Sequence, residues 1–106
     1  MQYTPDNWVV IKVDGVEQET FYKVVAGWSG GYLDGNSWRI NSGITKVEVE
    51  GDYYLIYGSS GSVYKCHKEA NCVRMNIAGV LKQLNEMYPG QVEVMPEGIE
   101  WEKFFG

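Results

Sequence analysis

The clearest pattern of apolar residues along the chain lies over residues 71–88. Apolar side chains recur there at spacings of three and four, which places them on one stripe of an α-helix. The stripe consists of Val73, Ile77, Val80, Leu81, Leu84 and Met87. Pro89 and Gly90 follow and are typical of a helix end. The pattern predicts one helix over about 71–88, with Asn71 as a candidate N-cap and an earlier turn that begins at His67 or Lys68 as the alternative.

The N-terminal part of the chain is typical of a β-hairpin. Residues 8–13 are rich in β-branched side chains, which favours a strand. Asp14-Gly15 then favours a two-residue turn. Such a turn pairs Val13 with Val16, so the second strand is expected to begin at Val16.

A three-stranded meander is predicted over residues 44–66. Residues 44–50 alternate between apolar and polar side chains, as in a strand with one buried face. A tight turn at Gly51-Asp52 pairs Val49 with Tyr54 and Val47 with Ile56 on that face. Further strands are expected at 53–57 and 62–66, and a last short one at 91–95.

These elements predict a single α+β domain over residues 1–106: an antiparallel, strongly twisted β-sheet, built from the hairpin and the meander, packed against one α-helix. Residues 96–106 form an acidic, aromatic C-terminal tail. We expect the tail to dock on the domain, because exposed aromatic patches reduce solubility.

The charge and hydropathy of the chain indicate which partners and which cellular location to expect. The formal net charge is −5, although residues 63–90 carry four basic and two acidic groups. An acidic chain disfavours non-specific binding to nucleic acid, which depends on neutralising phosphates. No apolar run approaches the roughly 20 residues of a membrane span, and the N-terminus lacks the pattern of a signal peptide. We therefore expect a cytoplasmic protein whose Cys66 and Cys72 are free thiols.

Exposed aromatic residues are the first candidates for a binding site. The glycine-rich segment 27–38 contains Trp28, Tyr32 and Trp38, and the tail contains Trp101, Phe104 and Phe105. Glycine lets a backbone approach a ligand, and aromatic side chains are common anchors at interfaces. The alternative is that these aromatic side chains fold back to complete the core.

A second candidate is an aromatic sheet face that stacks on single-stranded bases. Tyr53, Tyr57 and Tyr64 are placed on neighbouring predicted strands, with Lys65 beside them. Such platforms normally lie in positive grooves, so the net charge disfavours this reading.

Evidence for catalysis is weaker. Cys66-His67 is an adjacent thiol and imidazole, but neighbouring strand residues point to opposite faces. With Cys72 they also lack the ligand number and spacing of a structural metal site. Residues 58–62 lack the Lys-Ser/Thr and the following helix of a phosphate loop. We therefore expect no metal and no cofactor, and favour a non-enzymatic protein.

Four segments resemble small uncharacterised proteins of tailed bacteriophages, including marine ones: Asp6–Ile11, Ala26–Leu33, Ser37–Ile44 and Gly58–His67. The resemblance extends over about residues 6–88. It implies a phage accessory protein made in the host cytoplasm, and it carries over no catalytic residues.

The sequence thus favours a small module that binds another protein, from the host or the phage. Binding of single-stranded nucleic acid is the alternative, and an enzyme using Cys66 or His67 is a weaker one. The sequence does not specify whether the chain forms homo-oligomers.

Overall fold

The computed structural model describes residues 1–15, 19–31 and 35–105. Their strands are β1 (Gln2–Tyr3), β2 (Asn7–Asp14), β3 (Thr20–Gly31), β4 (Gly35–Ile40), β5 (Ile44–Glu50), β6 (Tyr53–Gly58), β7 (Val63–His67) and β8 (Val92–Val94). The helices are α1 (Met75–Met87) and α2 (Trp101–Phe104), and a 3₁₀ turn over Lys68–Ala70 precedes α1. This content confirms the α+β class. None of the helices in these ranges has the length and apolar character needed to cross a membrane.

The strands form two four-stranded sheets, whereas we expected one sheet from the sequence. Sheet A has the order β1-β7-β6-β5, and sheet B has the order β4-β3-β2-β8. Sheet A contains the predicted meander, and its register is confirmed because Val47 pairs with Ile56 and Val49 with Tyr54. Strand β1 extends this sheet by pairing in parallel with β7.

Strand β2 lies in the middle of the fold because both of its faces are apolar. Successive side chains of a strand point to opposite faces, and residues 8–11 are all buried. Trp8 and Val10 join the core between the sheets, whereas Val9 and Ile11 join a cluster with α1. Sheet B therefore lies between sheet A on one side and α1 on the other.

Aromatic rings fill much of the space between the two sheets. The Trp8 ring lies 5.9 Å from the Tyr54 ring and 6.4 Å from the Trp101 ring, both edge-on. Large aromatic side chains dominate the energetics of a core because each removes much apolar area from water. The buried cluster consists of Trp8, Val10, Val24, Ala26, Val47, Tyr54, Ile56, Tyr64, Cys66 and Trp101.

Helix α1 contacts the other face of sheet B. The cluster that joins them consists of Val9, Ile11, Val25, Ile77 and Leu81. The two approach each other closely at Gly27, where an added Cβ atom would lie 2.6 Å from Nδ2 of Asn76 and 2.7 Å from Cγ2 of Ile77. The absence of a side chain at Gly27 thus sets how closely the start of α1 approaches β3.

The helix begins at Met75, so the predicted start at residue 71 is wrong. The Asn71 side chain is unavailable as an N-cap because it is buried and bonded to other segments. The turn that the sequence alternatively placed at His67 or Lys68 is the separate 3₁₀ turn before α1: His67 caps it, and its Nδ1 accepts a hydrogen bond from the Glu69 N–H at 3.1 Å. Val73 and Met87 of the predicted stripe are exposed.

Strands β2 and β3 form the predicted hairpin in another register. Val13 pairs with Phe21, and β3 begins at Thr20, so the predicted two-residue turn at Asp14-Gly15 is wrong. Val16, the expected partner of Val13, lies outside the described residues. The observed register aligns residues 8–10 with residues 24–26, and both buried runs pack together. Burial of these runs therefore outweighs the preference of the turn dipeptide.

The C-terminal tail lies against the domain, where the carboxamide of Asn71 holds it. Oδ1 of Asn71 accepts hydrogen bonds from the backbone N–H of Gly98 at 3.1 Å and from Nε1 of Trp101 at 3.2 Å. Nδ2 of Asn71 donates to the carbonyl oxygen of Trp8 at 3.1 Å. One buried side chain thus connects β2, the segment before α1 and the tail.

Replacing Asn71 by leucine is expected to lower the free energy of unfolding by about 3 kcal/mol or more, because it leaves the buried partners of Asn71 without hydrogen bonds. Urea unfolding measures the change. Asn85→Leu, at an exposed position of α1, is the matched control and should change stability by less than about 0.5 kcal/mol. Equal stabilities for the two variants would contradict this role of Asn71.

A pair of glycine variants tests the contact between α1 and sheet B. Gly27→Ala is expected to destabilise the protein by about 1–3 kcal/mol, because the new methyl group must push α1 away from β3. Gly79→Ala is expected to stabilise by about 0.5–1 kcal/mol, because Gly79 lies within α1 with nothing within 4 Å of an added Cβ. Thermal unfolding in which both variants shift in the same direction would contradict the packing.

Candidate functional site

Trp28 and Trp38 lie on opposite faces of sheet B, so they do not form one binding surface. Trp28 packs against the core between the sheets, and its Nε1 donates to the carbonyl oxygen of Thr4 at 3.0 Å. Trp38 is opposite Gly27, which places it on the face that carries α1, with 51% of its surface exposed. Tyr32, the third aromatic residue of the predicted site, lies outside the described residues.

The tail aromatics belong largely to the domain itself. Trp101 is fully buried in the core, so its side chain is not accessible to a partner. The rings of Phe104 and Phe105 lie 5.3 Å and 5.4 Å from the ring of Tyr22, both edge-on. Phe104 is partly exposed, whereas Phe105 packs against the core cluster. Of the three predicted tail residues, Phe104 therefore offers the most surface.

The tyrosines proposed as a stacking platform are divided between the two faces of sheet A. Tyr64 is only 2% exposed and faces the core, because it alternates with Lys65 along β7. Tyr53, Tyr57 and Lys65 share the outer face. Of the three tyrosines predicted to stack on bases, Tyr64 is therefore not available on the outer face.

The outer face of sheet A is also electrically balanced. The Nζ atoms of Lys65 and Lys46 lie 4.8 Å and 4.5 Å from the ring centroids of Tyr53 and Tyr57. Lys65 forms a salt bridge with Glu50 at 3.2 Å, and Lys46 one with Glu48 at 3.9 Å.

The hydroxyl of Tyr57 donates to Oε1 of Glu48 at 2.6 Å, and this bond raises the pKa of Tyr57. Two lysines meet two glutamates on this face, so it lacks the positive potential that single-strand binding sites use.

Cys66 and His67 do not form a nucleophile and base pair. Cys66 is buried between the sheets, and burial raises the pKa of its thiol. His67 lies on the other face of β7, with Nδ1 occupied by the Glu69 N–H. A reactive cysteine requires an accessible thiolate, which this environment disfavours. Within residues 1–15, 19–31 and 35–105, no cluster of three or more His, Cys, Asp or Glu side chains could hold a metal ion.

A groove that the sequence did not predict lies between α1 and sheet B. Its volume is about 310 Å³. Side chains of β2, β3, β4 and β8 form its floor, and Leu84 and Tyr88 at the end of α1 form its wall. The lining residues are Ile11, Val13, Lys23, Ile40, Leu84, Tyr88 and Val92. We call this feature the α1 groove.

Exposed aromatic side chains lie close to the α1 groove. Phe21 pairs with Val13 of the floor and is 46% exposed, and Tyr88 of the wall is equally exposed. Trp38 lies two residues before Ile40 on the same face of β4. An apolar groove with aromatic side chains at its border is the type of surface that binds side chains of a partner.

Lys23 is the one residue with a full charge among the seven that line the groove. Its side chain is half-buried. Among the described residues it forms no salt bridge. The groove thus combines apolar walls with one available cation, a combination that favours an apolar ligand carrying a negative charge.

Part of the signal for this groove is present in the sequence. The apolar stripe of the helix continues to Leu84 and Met87, past the point where sheet B buries it. Phe21 had no role in the predicted sites, because the two-residue turn placed it within the hairpin at another register. No sequence pattern indicated Lys23, because its place in the groove depends on the tertiary position of Leu84 and Tyr88.

Comparison of the chain with protein-family models, with curated proteins and with solved structures finds no match.

Labelled single-stranded oligonucleotides are expected to show no salt-dependent change in fluorescence anisotropy with this protein, because the outer face of sheet A is balanced in charge and Tyr64 is buried. Binding at low salt that is lost in Lys65→Ala and Tyr57→Ala would contradict this expectation. Tyr88→Ala, which removes an exposed ring at the α1 groove and leaves sheet A unchanged, is the control for a general effect of losing a tyrosine ring.

Proposed function

We propose that this protein is a small, non-enzymatic module that binds another protein through the α1 groove. The observation that supports the proposal is the apolar groove of about 310 Å³ beside the exposed rings of Phe21, Trp38 and Tyr88. Exposed aromatic side chains beside an apolar pocket are the features from which the energetic hot spots of protein interfaces are commonly built. The resemblance to proteins of tailed bacteriophages makes a host or phage protein the partner in this proposal.

The other surfaces support catalysis or nucleic-acid binding less well. Cys66 is buried away from His67, and the lysines on sheet A are paired with glutamates. The groove instead offers apolar area with few polar groups, as in sites that recognise the side chains of a peptide.

A displayed library of random peptides tests this proposal. Peptides enriched on the wild-type protein are expected to bind the Phe21→Ser, Tyr88→Ser double variant about tenfold more weakly or worse, because truncation of an aromatic anchor typically costs more than about 1 kcal/mol. Calorimetry with the enriched peptides gives the dissociation constants.

Val49→Ser is the matched control for this experiment. Val49 is 45% exposed, close to the exposure of Phe21 and Tyr88, but it lies at the edge of sheet A. The control should leave the affinity unchanged. Failure to enrich any peptide, or equal affinity of the double variant, would overturn the proposed function.

A further inference from the structure

Strand β4 is an unprotected edge of sheet B. Among the described strands it pairs with β3 alone, and it stands at the end of the sheet order. Residues 37–39 are exposed. An exposed edge presents backbone N–H and C=O groups that another strand can pair with.

The other three edges of the two sheets are less suited to pairing. Strands β1 and β8 contain two and three residues. Strand β5 carries Lys46, Glu48 and Glu50 on its outer face, and charged side chains deter strand addition. Strand β4 is six residues long, and Arg39 is its single charged residue. It is thus the edge most open to a further strand.

Hydrogen bonds at the end of β4 show which of its backbone groups face outward. The Asn41 N–H donates to the carbonyl oxygen of Val24 at 3.1 Å, so position 41 faces β3. Residues alternate between facing the partner strand and facing away from it in an antiparallel pair. The backbone groups of Arg39 therefore face β3, whereas those of Trp38 and Ile40 face the free edge.

The same two residues carry their side chains on the face of sheet B that forms the α1 groove. Ile40 lines the groove, and Trp38 shares its face of the sheet. A strand added to β4 would place the side chains opposite Trp38 and Ile40 on this face as well, because directly opposed residues share a face. Alternate side chains of the added strand would therefore reach the groove.

Charge restricts the sequence that this site favours. Strand β4 ends at Ile40, and Lys23 lies two residues before Val25, the partner of Ile40, on the same face. An added strand that continues past Ile40 would bring its next groove-facing side chain toward Lys23. A carboxylate at that position would pair with the ammonium group, whereas a cation would be repelled.

We propose that the β4 edge and the α1 groove together bind an extended peptide segment of another protein by strand addition. The segment has apolar side chains at alternate positions and an acidic side chain that pairs with Lys23. This inference rests on the proposed function and specifies the conformation and chemistry of the partner.

The main test removes a single outward N–H. Proline lacks this group and is tolerated at edge positions where the N–H faces solvent. Trp38→Pro is therefore expected to fold, but to bind the enriched peptides about tenfold more weakly than Trp38→Val, which loses the same indole and keeps the N–H. Circular dichroism checks that both variants retain the sheet.

Two further measurements keep the inference testable if Trp38→Pro fails to fold. Amide hydrogen exchange of the wild-type protein should slow at Trp38 and Ile40 when an enriched peptide is added, whereas Arg39 should already be protected without peptide. A library selected on Lys23→Glu should favour Lys and Arg where the library selected on wild type favours Asp and Glu.

The outcomes separate this inference from the proposed function. Strand addition alone would be overturned by peptides that depend on Phe21 and Tyr88 but bind Trp38→Pro and Trp38→Val equally. Peptides that leave the Trp38 and Ile40 amides unprotected, or whose apolar residues have helical spacing, would have the same consequence. Loss of groove dependence would overturn both. A wild-type dimer in sedimentation that Trp38→Pro abolishes would assign the edge to a second copy of the chain and overturn the peptide proposal.

Discussion

The arrangement of the fold depends on the buried carboxamide of Asn71. It donates to the Trp8 carbonyl and accepts from the Gly98 N–H and the Trp101 indole, and all three partners are distant from Asn71 in the sequence. A buried amide is stable only when its hydrogen bonds are made, so β2, the segment before α1 and the tail must be in place together. The indole of Trp8 adds a further bond of this kind, since its Nε1 donates to the His67 carbonyl at 2.8 Å. The central strand and the C-terminal tail are thus parts of one cooperative core.

This constraint also explains why the groove exists. Asn71 fixes the chain just before α1, and Gly27 allows the first turn of α1 to lie close to β3. From there the helix crosses sheet B toward β8. The corner of the sheet near Phe21 and Ile40 remains uncovered, because one helix of 13 residues does not cover four strands. The apolar surface of the groove follows from the same contacts that stabilise the fold.

Local patterns predicted local structure well and failed where distant segments decide the outcome. The β5–β6 register followed from a tight turn and an alternating strand, both of which are encoded within residues 44–57. The β2–β3 register did not, because the buried runs of sheet B outweigh the turn dipeptide at Asp14-Gly15. Asn71 resembled a helix N-cap in the sequence because its bonds to Trp8 and Trp101 are long-range. The sequence did not distinguish a fold with two sheets from a fold with one sheet, because the pattern within a strand does not indicate which other strand it pairs with.

The same reasoning explains the fate of the predicted site residues. Aromatic residues were predicted as binding residues because they are common anchors at interfaces. Trp28, Tyr64 and Trp101 instead pack in the core, since a small domain needs large side chains to bury enough apolar area. A binding surface requires apolar groups that the fold leaves uncovered, and this depends on where α1 ends over the sheet. Phe21 and Lys23 acquire their importance from that placement alone. The groove is therefore a property of the tertiary arrangement, and Lys23, the one charged residue among its lining residues, is placed there by the register of β3 with β2.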